Sequence, residues 1–297
     1  MATIHLVKKL AVQWQIGNQC NFRCDYCHHD YHSGSNPFLD YEQFQKGFFN
    51  LERSVTDYEQ VTIEFQGGEP TISPAIRNKV ADPGVTRYKY ILQTNASADL
   101  EWWHLAVKNL SEVSLAYHPQ VDTEHFKQVV EIVRANCPKW GISVNAHPDH
   151  DRWEKAVSIY EFYKNQNVYV TFRALFADHN RGNQQFLEYT PEQWAYYTRA
   201  NHIEVPVEIT EIPAQIHWVE SHLYNNYKGH LCWAGVEQIV VDYFGYVYRS
   251  WCHAHGALGN IFEKSVTLDT SPKVCPKGLC KNKFDQQAKK SEKSWGM

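Results

Sequence analysis

A chain of 297 residues, 43% of them hydrophobic, is long enough for one large domain or two smaller ones. Its formal charge of −4 argues against the basic field that a duplex nucleic-acid partner requires, while an aromatic content of 14% leaves single-strand stacking open. The opening "MATIHLVKKLAVQW" has no cleavage pattern and no apolar run of membrane-spanning length. A cytoplasmic protein without a membrane partner is therefore expected, and in that reducing compartment eight cysteines read as metal ligands before disulfides.

Strand and helix patterns then alternate. A strand over 10–17 is followed by a helix over 40–55, with Asp40 as its N-cap and apolar spacing at Phe44, Phe48, Phe49 and Leu51. Strands over 59–66, 87–95, 111–118, 140–148 and 168–176 follow, with a turn at 67–71. Helices over 99–110, 122–137 and 152–166 lie between them, and Pro138 stops the second of these. Six strands with intervening segments over 11–176 predict right-handed parallel units, too few for an eight-fold barrel. The expected fold class is α/β: a partial (β/α)6 TIM-like barrel whose active-site loops sit at the C-terminal strand ends.

Beyond it, 177–190 is a polar loop, 191–202 a helix opened by Pro191, and 205–213 a candidate strand. A hairpin over 238–251 turns near Gly245. The domain expectation is a core over 1–200, a connecting segment over 201–231, a small cysteine-rich subdomain containing the hairpin over 232–284, and a charged, disordered tail over 285–297.

Cys20, Cys24 and Cys27 occupy eight residues directly after the first strand. Thiolates suit zinc or iron–sulfur clusters. A structural zinc needs a fourth ligand, which His28, His29 or His32 could supply. Three cysteines on a [4Fe–4S] cluster instead leave one iron open, and the spacing favours the cluster.

With Tyr26, these cysteines form Cys-x3-Cys-x-aromatic-Cys, which resembles the signature of the radical S-adenosylmethionine (radical SAM) superfamily. The resemblance covers about 11–176. It implies that the open iron chelates the amino and carboxylate groups of S-adenosylmethionine, with Tyr26 near the adenine. Gly67, Gly68 and Glu69 ("QGGEPT") are similar to the family's Gly-Gly-Glu motif, where glycines permit close backbone approach and a carboxylate can accept from an ammonium. Thr94 and Asn95 end the third strand like the family's Thr-Asn element. Ser114 stands where relatives face the methionine carboxylate, and Asn145 and Arg173 occupy the fifth and sixth strands. Arg173 can pair bidentately with that carboxylate. The arginine that many relatives carry early in the helix after the fourth strand is missing; "HPQVDTEHFKQ" offers His118, His125 and Lys127. His118 and His147, at strand ends, are further candidates to face substrate or carry a proton.

Cys232, Cys252, Cys275 and Cys280 remain, with Cys137, at a helix end, read as a small buried hydrophobe. With Gly259, Asn260 and Ile261 between the second and third, the four are similar to the twitch form of the SPASM subdomain over about 230–282. The resemblance implies an auxiliary [4Fe–4S] cluster on the four cysteines, with Cys275-x4-Cys280 wider than usual; a four-cysteine zinc knot is the alternative. The implied activity is reductive cleavage of S-adenosylmethionine to a 5′-deoxyadenosyl radical, hydrogen-atom abstraction, and oxidation of the substrate radical through the auxiliary cluster. The electron would come from an external one-electron reductant of flavodoxin or ferredoxin type. A modified peptide is the leading substrate, although only about ten residues precede the first strand, and no separate peptide-recognition domain is expected there. A sugar-like alcohol, a nucleoside or tRNA, and a non-catalytic zinc-stabilised binding protein are the alternatives.

Overall fold

The computed structural model describes residues 8–27, 32, 34–82, 87–176, 186–211, 213–215, 218–219, 225–280 and 282–293. His28, His29 and much of the 177–190 loop lie outside these residues. Strand β1 (Lys9–Gln15) is followed by α1 (Tyr41–Ser54), β2 (Gln60–Gln66), α2 (Pro74–Ala81), β3 (Tyr88–Thr94) and α3 (Leu100–Ala106). Then come β4 (Leu110–Tyr117), α4 (Thr123–Asn136), β5 (Trp140–Ala146), α5 (His150–Lys164), β6 (Val170–Ala174) and α6 (Pro191–Ala200). Strands β1 to β6 lie in chain order and every adjacent pair is parallel, from Lys9↔Gln60 to Ala146↔Ala174. This is the partial barrel that the alternation predicts.

The helices begin where a side chain can satisfy their first amides. Asp40 accepts from Gln43 N, Asp99 from Trp102 N, Asp122 from Glu124 N and His125 N, and Asp149 from Arg152 N. Thr190 and Gln193 cap α6 reciprocally. Helix α2 has no counterpart among the sequence expectations; Ser73 caps it and Pro74 opens it.

Within each barrel strand one face is apolar and packs under the helices. Trp14 stacks on Phe44 of α1 at 5.4 Å, and Phe65, Leu92, Leu115, Val144 and Phe172 are buried alongside. Each such side chain contributes about 1.5–3 kcal/mol on burial. The opposite face carries Gln13, Glu64, Gln66, Gln93, Ser114, Ser143, Asn145 and Arg173. A closed barrel fills that space with branched apolar residues. Here the inner surface is polar, so the barrel encloses a well.

The C-terminal part comprises β7 (His230–Cys232), β8 (Gln238–Val241), β9 (Tyr246–Tyr248), β10 (Ala257–Asn260), β11 (Lys273–Val274), α7 (Lys283–Gln287) and β12 (Lys290–Lys293). The β8–β9 hairpin turns at Gly245, at φ +82°, and a Cβ there would meet the Phe262 ring at 2.5 Å. Strand β8 also runs parallel to β1, Ala11↔Gln238 to Trp14↔Val241, so β8, β9 and β10 extend the barrel sheet to nine strands. Strands β11, β7 and β12 form a second, antiparallel sheet.

Two expectations are corrected here. The described residues of 205–213 form no strand: Pro206 and Pro213 each remove a ladder donor, and Ile209 N bonds back to Pro206 O at 3.0 Å in a turn. The charged tail is ordered through 293, because Phe284 and Asp285 are buried and Lys290 pairs opposite Cys232 on β7. Cys137 is buried at the C-terminus of α4, as expected. Among the described residues no helix is long and apolar enough to cross a membrane.

Candidate active site at the barrel rim

The loop after β1 lies directly on the loop after β2. A Cβ on Gly67, at φ +105°, would sit 1.9 Å from Gly17 O, and one on Gly68 would sit 1.7 Å from Gln19 O. Glycine is thus required at both positions by the preceding loop's backbone. Glu69 N completes the contact by donating to Gln19 O at 2.8 Å.

The Glu69 side chain points inward and is 1% exposed. One carboxylate oxygen accepts from Thr71 N at 2.9 Å, Thr71 Oγ1 at 2.6 Å and Thr94 Oγ1 at 2.7 Å; the other accepts from Asn95 N at 2.7 Å. Burial pushes its carboxyl above the ordinary range against these donors. The sequence pattern assigns this carboxylate an external ammonium as partner; in the structure it brackets the ends of β2 and β3. Asn95 continues the bracket, donating to Asn21 Oδ1 at 2.9 Å and lying 4.0 Å from Cys20 Sγ.

Cys20, Cys24 and Cys27 share one electrostatic environment. Burial pushes the Cys20 thiol up to about 11 and the Cys27 thiol up to about 12, and neighbouring thiols of the set add to both. Burial also raises Cys24. The sulfurs have hydrogen-bond donors at hand: Phe22 N lies 3.4 Å from Cys20 Sγ, and Gln120 Nε2 lies 2.7 Å from Cys24 Sγ. Three clustered thiols with amide donors around them suit a thiolate-bound metal group.

Tyr26 is buried, and its hydroxyl lies 2.6 Å from His118 Nδ1, with the two rings stacked at 6.1 Å. Asn145 Nδ2 approaches the same imidazole at 3.4 Å. Burial, then the nearby Arg173 charge, lowers His118 to about 4, so the ring is neutral at physiological pH. Arg173 stands opposite Asn145 in the β5–β6 register and bonds Ser143 Oγ at 3.4 Å. Its side chain keeps solvent contact, yet surrounding protein lowers its pKa by desolvation. Ser114 lies half-buried on the same inner face, between Gln93 and Gly141. His147 is close to Asp25 at 3.6 Å, and His32 Nε2 lies 3.2 Å from Cys27 O.

Deeper in the well, Glu64 accepts from Gln13 Nε2 at 2.6 Å, from Gln66 Nε2 at 3.4 Å and from the Gln93 amide. Burial raises its carboxyl above the usual range. Trp251 Nε1, from the loop before Cys252, donates to Gln13 Oε1 at 2.6 Å and ties the C-terminal part to this network. Glu64, Gln120 and Trp251 belong to no motif in the sequence. The one available signal is the recurrence of glutamine at alternate strand positions (Gln13, Gln66, Gln93), which marks a polar inner face.

The other four cysteines converge from four segments. Cys232 ends β7; Cys275 N donates to His230 O at 2.8 Å; Cys280 N donates to Asn225 O at 2.8 Å. Asp285, 3% exposed, accepts from Trp251 N at 3.0 Å and Cys252 N at 2.9 Å. The thiols of Cys232 and Cys280 are raised, first by burial and also by Cys252 and Cys275, and Cys280 reaches about 12. Gly259–Ile261 fastens this region to α1: Ile261 is fully buried and Asn50 Nδ2 donates to its carbonyl at 2.7 Å. Among the described residues no three His, Cys, Asp or Glu side chains converge tightly enough to chelate a single ion.

No protein-family model matches the chain, and no curated protein does. Solved structures do. A histidine-tagged form of anSMEcpe with bound AdoMet (S-adenosylmethionine) aligns with a TM-score of 0.54 at 18% identity, over 86% of this chain and 76% of that one. Native anSMEcpe with bound AdoMet and the Kp18Cys peptide gives 0.53 at 18%, over 86% and 79%. Streptococcus suis SuiB bound to S-adenosylmethionine gives 0.50 at 14%, over 87% and 64%. The chain shares the fold of these S-adenosylmethionine-bound proteins.

Proposed function

We propose that this protein is a radical SAM enzyme that modifies a peptide by net oxidation. The observation that carries this reading is the three-thiol loop after β1, locked by Gly67–Glu69 and Asn95 to the C-terminal rim of six parallel strands. Cys20, Cys24 and Cys27 would hold three corners of a [4Fe–4S] cluster. When bound, that cluster and S-adenosylmethionine together supply a 5′-deoxyadenosyl radical.

The chain's residues have separable tasks. Because the Glu69 carboxylate is occupied by four donors, the Gly67–Glu69 segment offers an ammonium its backbone carbonyls. Thr94 and Asn95 keep that segment in place. Tyr26, held by His118, offers an aromatic ring beside Cys24 and Cys27, where it would contact the adenine of a bound S-adenosylmethionine. Ser114, Asn145 and Arg173 present hydroxyl, amide and guanidinium to the well, and Arg173 suits a carboxylate. Cys232, Cys252, Cys275 and Cys280 would saturate an auxiliary [4Fe–4S] group, so that region serves electron transfer and leaves no iron for substrate. A peptide substrate is favoured because structures sharing the fold were solved with one: Kp18Cys on anSMEcpe and the precursor SuiA on SuiB.

The test is anaerobic reconstitution followed by incubation with S-adenosylmethionine and dithionite. 5′-Deoxyadenosine should form, about eight irons should bind per chain at four per cluster, and the Cys20→Ala/Cys24→Ala/Cys27→Ala variant should form none. Zinc at the first site, or no 5′-deoxyadenosine from fully loaded protein, refutes the reading.

A further inference from the structure

The three thiols at the rim are not equivalent. Cys20 Sγ faces the backbone amide of Phe22 at 3.4 Å, and among the described residues no hydrogen bond reaches Cys27 Sγ. Cys24 is the most enclosed, 7% exposed among Tyr26, Phe22 and Leu175. Its sulfur meets Gln120 Nε2 at 2.7 Å and His118 Nδ1 at 3.5 Å.

Both side chains come from the connection after β4. Val121 N bonds back to His118 O at 2.9 Å, and Asp122 starts α4 by accepting two amides. This tight turn aims residues 118 and 120 at the same sulfur. His118 Nδ1 is already engaged with the Tyr26 hydroxyl at 2.6 Å, so the sulfur's side-chain donors are Gln120, through its amide, and the Tyr26 hydroxyl, which also reaches Cys24. An N–H on a ligating thiolate draws electron density from sulfur and favours the reduced, more negative cluster. The bond joins the exposed Gln120 side chain to the enclosed Cys24 sulfur.

We propose that Gln120 sets the reduction potential of the rim cluster by donating its side-chain amide to the Cys24 sulfur. This rests on the three-cysteine reading above. Gln120 is then neither ligand nor catalytic residue; it acts through Cys24.

The test is a potentiometric titration of the reconstituted full chain, read by electron paramagnetic resonance. The signal followed is the one lost in the Cys20→Ala/Cys24→Ala/Cys27→Ala variant. Gln120→Leu keeps the volume and removes the donor, so its midpoint should move to more negative potential with iron content unchanged. Gln120→Glu replaces donor by anion and should move it further. Gln120→Asn, one methylene short, should follow the leucine variant. A packing role alone would leave the leucine variant at the wild-type midpoint. Equal midpoints in fully loaded variants overturn the inference and leave the three-cysteine reading standing. Loss of iron in all three makes Gln120 a loop-folding residue and overturns it too. Absence of the signal from wild type overturns both.

Discussion

The two cysteine regions use the same device on different foundations. Each has a buried carboxylate that accepts backbone amides next to a cysteine segment: Glu69 holds Asn95 and Thr71, and Asp285 holds Trp251 and Cys252. Glu69 does so at the ends of seven-residue strands in the middle of the main sheet, among side chains that are fully buried. Asp285 does so on a five-residue helix, beside the short strands β7 and β11, whose side chains are half-buried or exposed. The rim loop is therefore held in place by the fold itself. The small sheet of β7, β11 and β12 has little apolar burial of its own, so on the proposed reading its cohesion would depend on a group held by the four thiols.

That contrast can be broken at its strongest point first. Glu69→Ala strands four buried donors and should destabilise the folded protein by roughly 3–5 kcal/mol, read as a lower urea midpoint at unchanged slope. A loss below about 1 kcal/mol would mean that the bracket is dispensable. Stripping iron with a chelator should then separate the regions. Amides of β7, β11 and β12 should lose hydrogen-exchange protection while β1 to β6 keep theirs; uniform loss would show one cooperative unit.

Asp285→Ala should cost about 2 kcal/mol through two unpaired amides and reduce bound iron toward the amount held at the rim alone. Iron content equal to wild type would remove Asp285 from the second region's assembly. The smallest effect is expected at the joint between the regions. Trp251→Phe deletes the 2.6 Å bond to Gln13 Oε1 and should lower stability by about 1 kcal/mol in thermal melts, with iron content unchanged.

Much of the barrel was legible because its information is local. Asp40, Asp99 and Asp122 announce helix starts within three residues of the amides they cap. The alternation in "VQWQ" and "IEFQ" separates outer Trp14 and Phe65 from inner Gln13 and Glu64. The rim cysteines and Gly67–Gly68 were legible for the same reason, since spacing and turn chemistry lie in short motifs. What Glu69 bonds to was not, because its partners Thr94 and Asn95 are 25 and 26 residues away. The pairing of β8 with β1 and the role of Asp285 are set by contacts from opposite ends of the chain, and no periodicity records them. The charged composition over 285–297 argued for disorder, yet the burial of Asp285 and a strand register against β7 hold it through 293.

The position of β8 beside β1 also dictates an order of assembly. On a growing polypeptide β1 can find β2 early, but its other flank stays an open sheet edge until residues 238–241 have been synthesised. During that interval the nascent chain exposes Ala11–Trp14 to any competing strand, so a ribosome pause before residues 238–241 are made would prolong the life of that open edge.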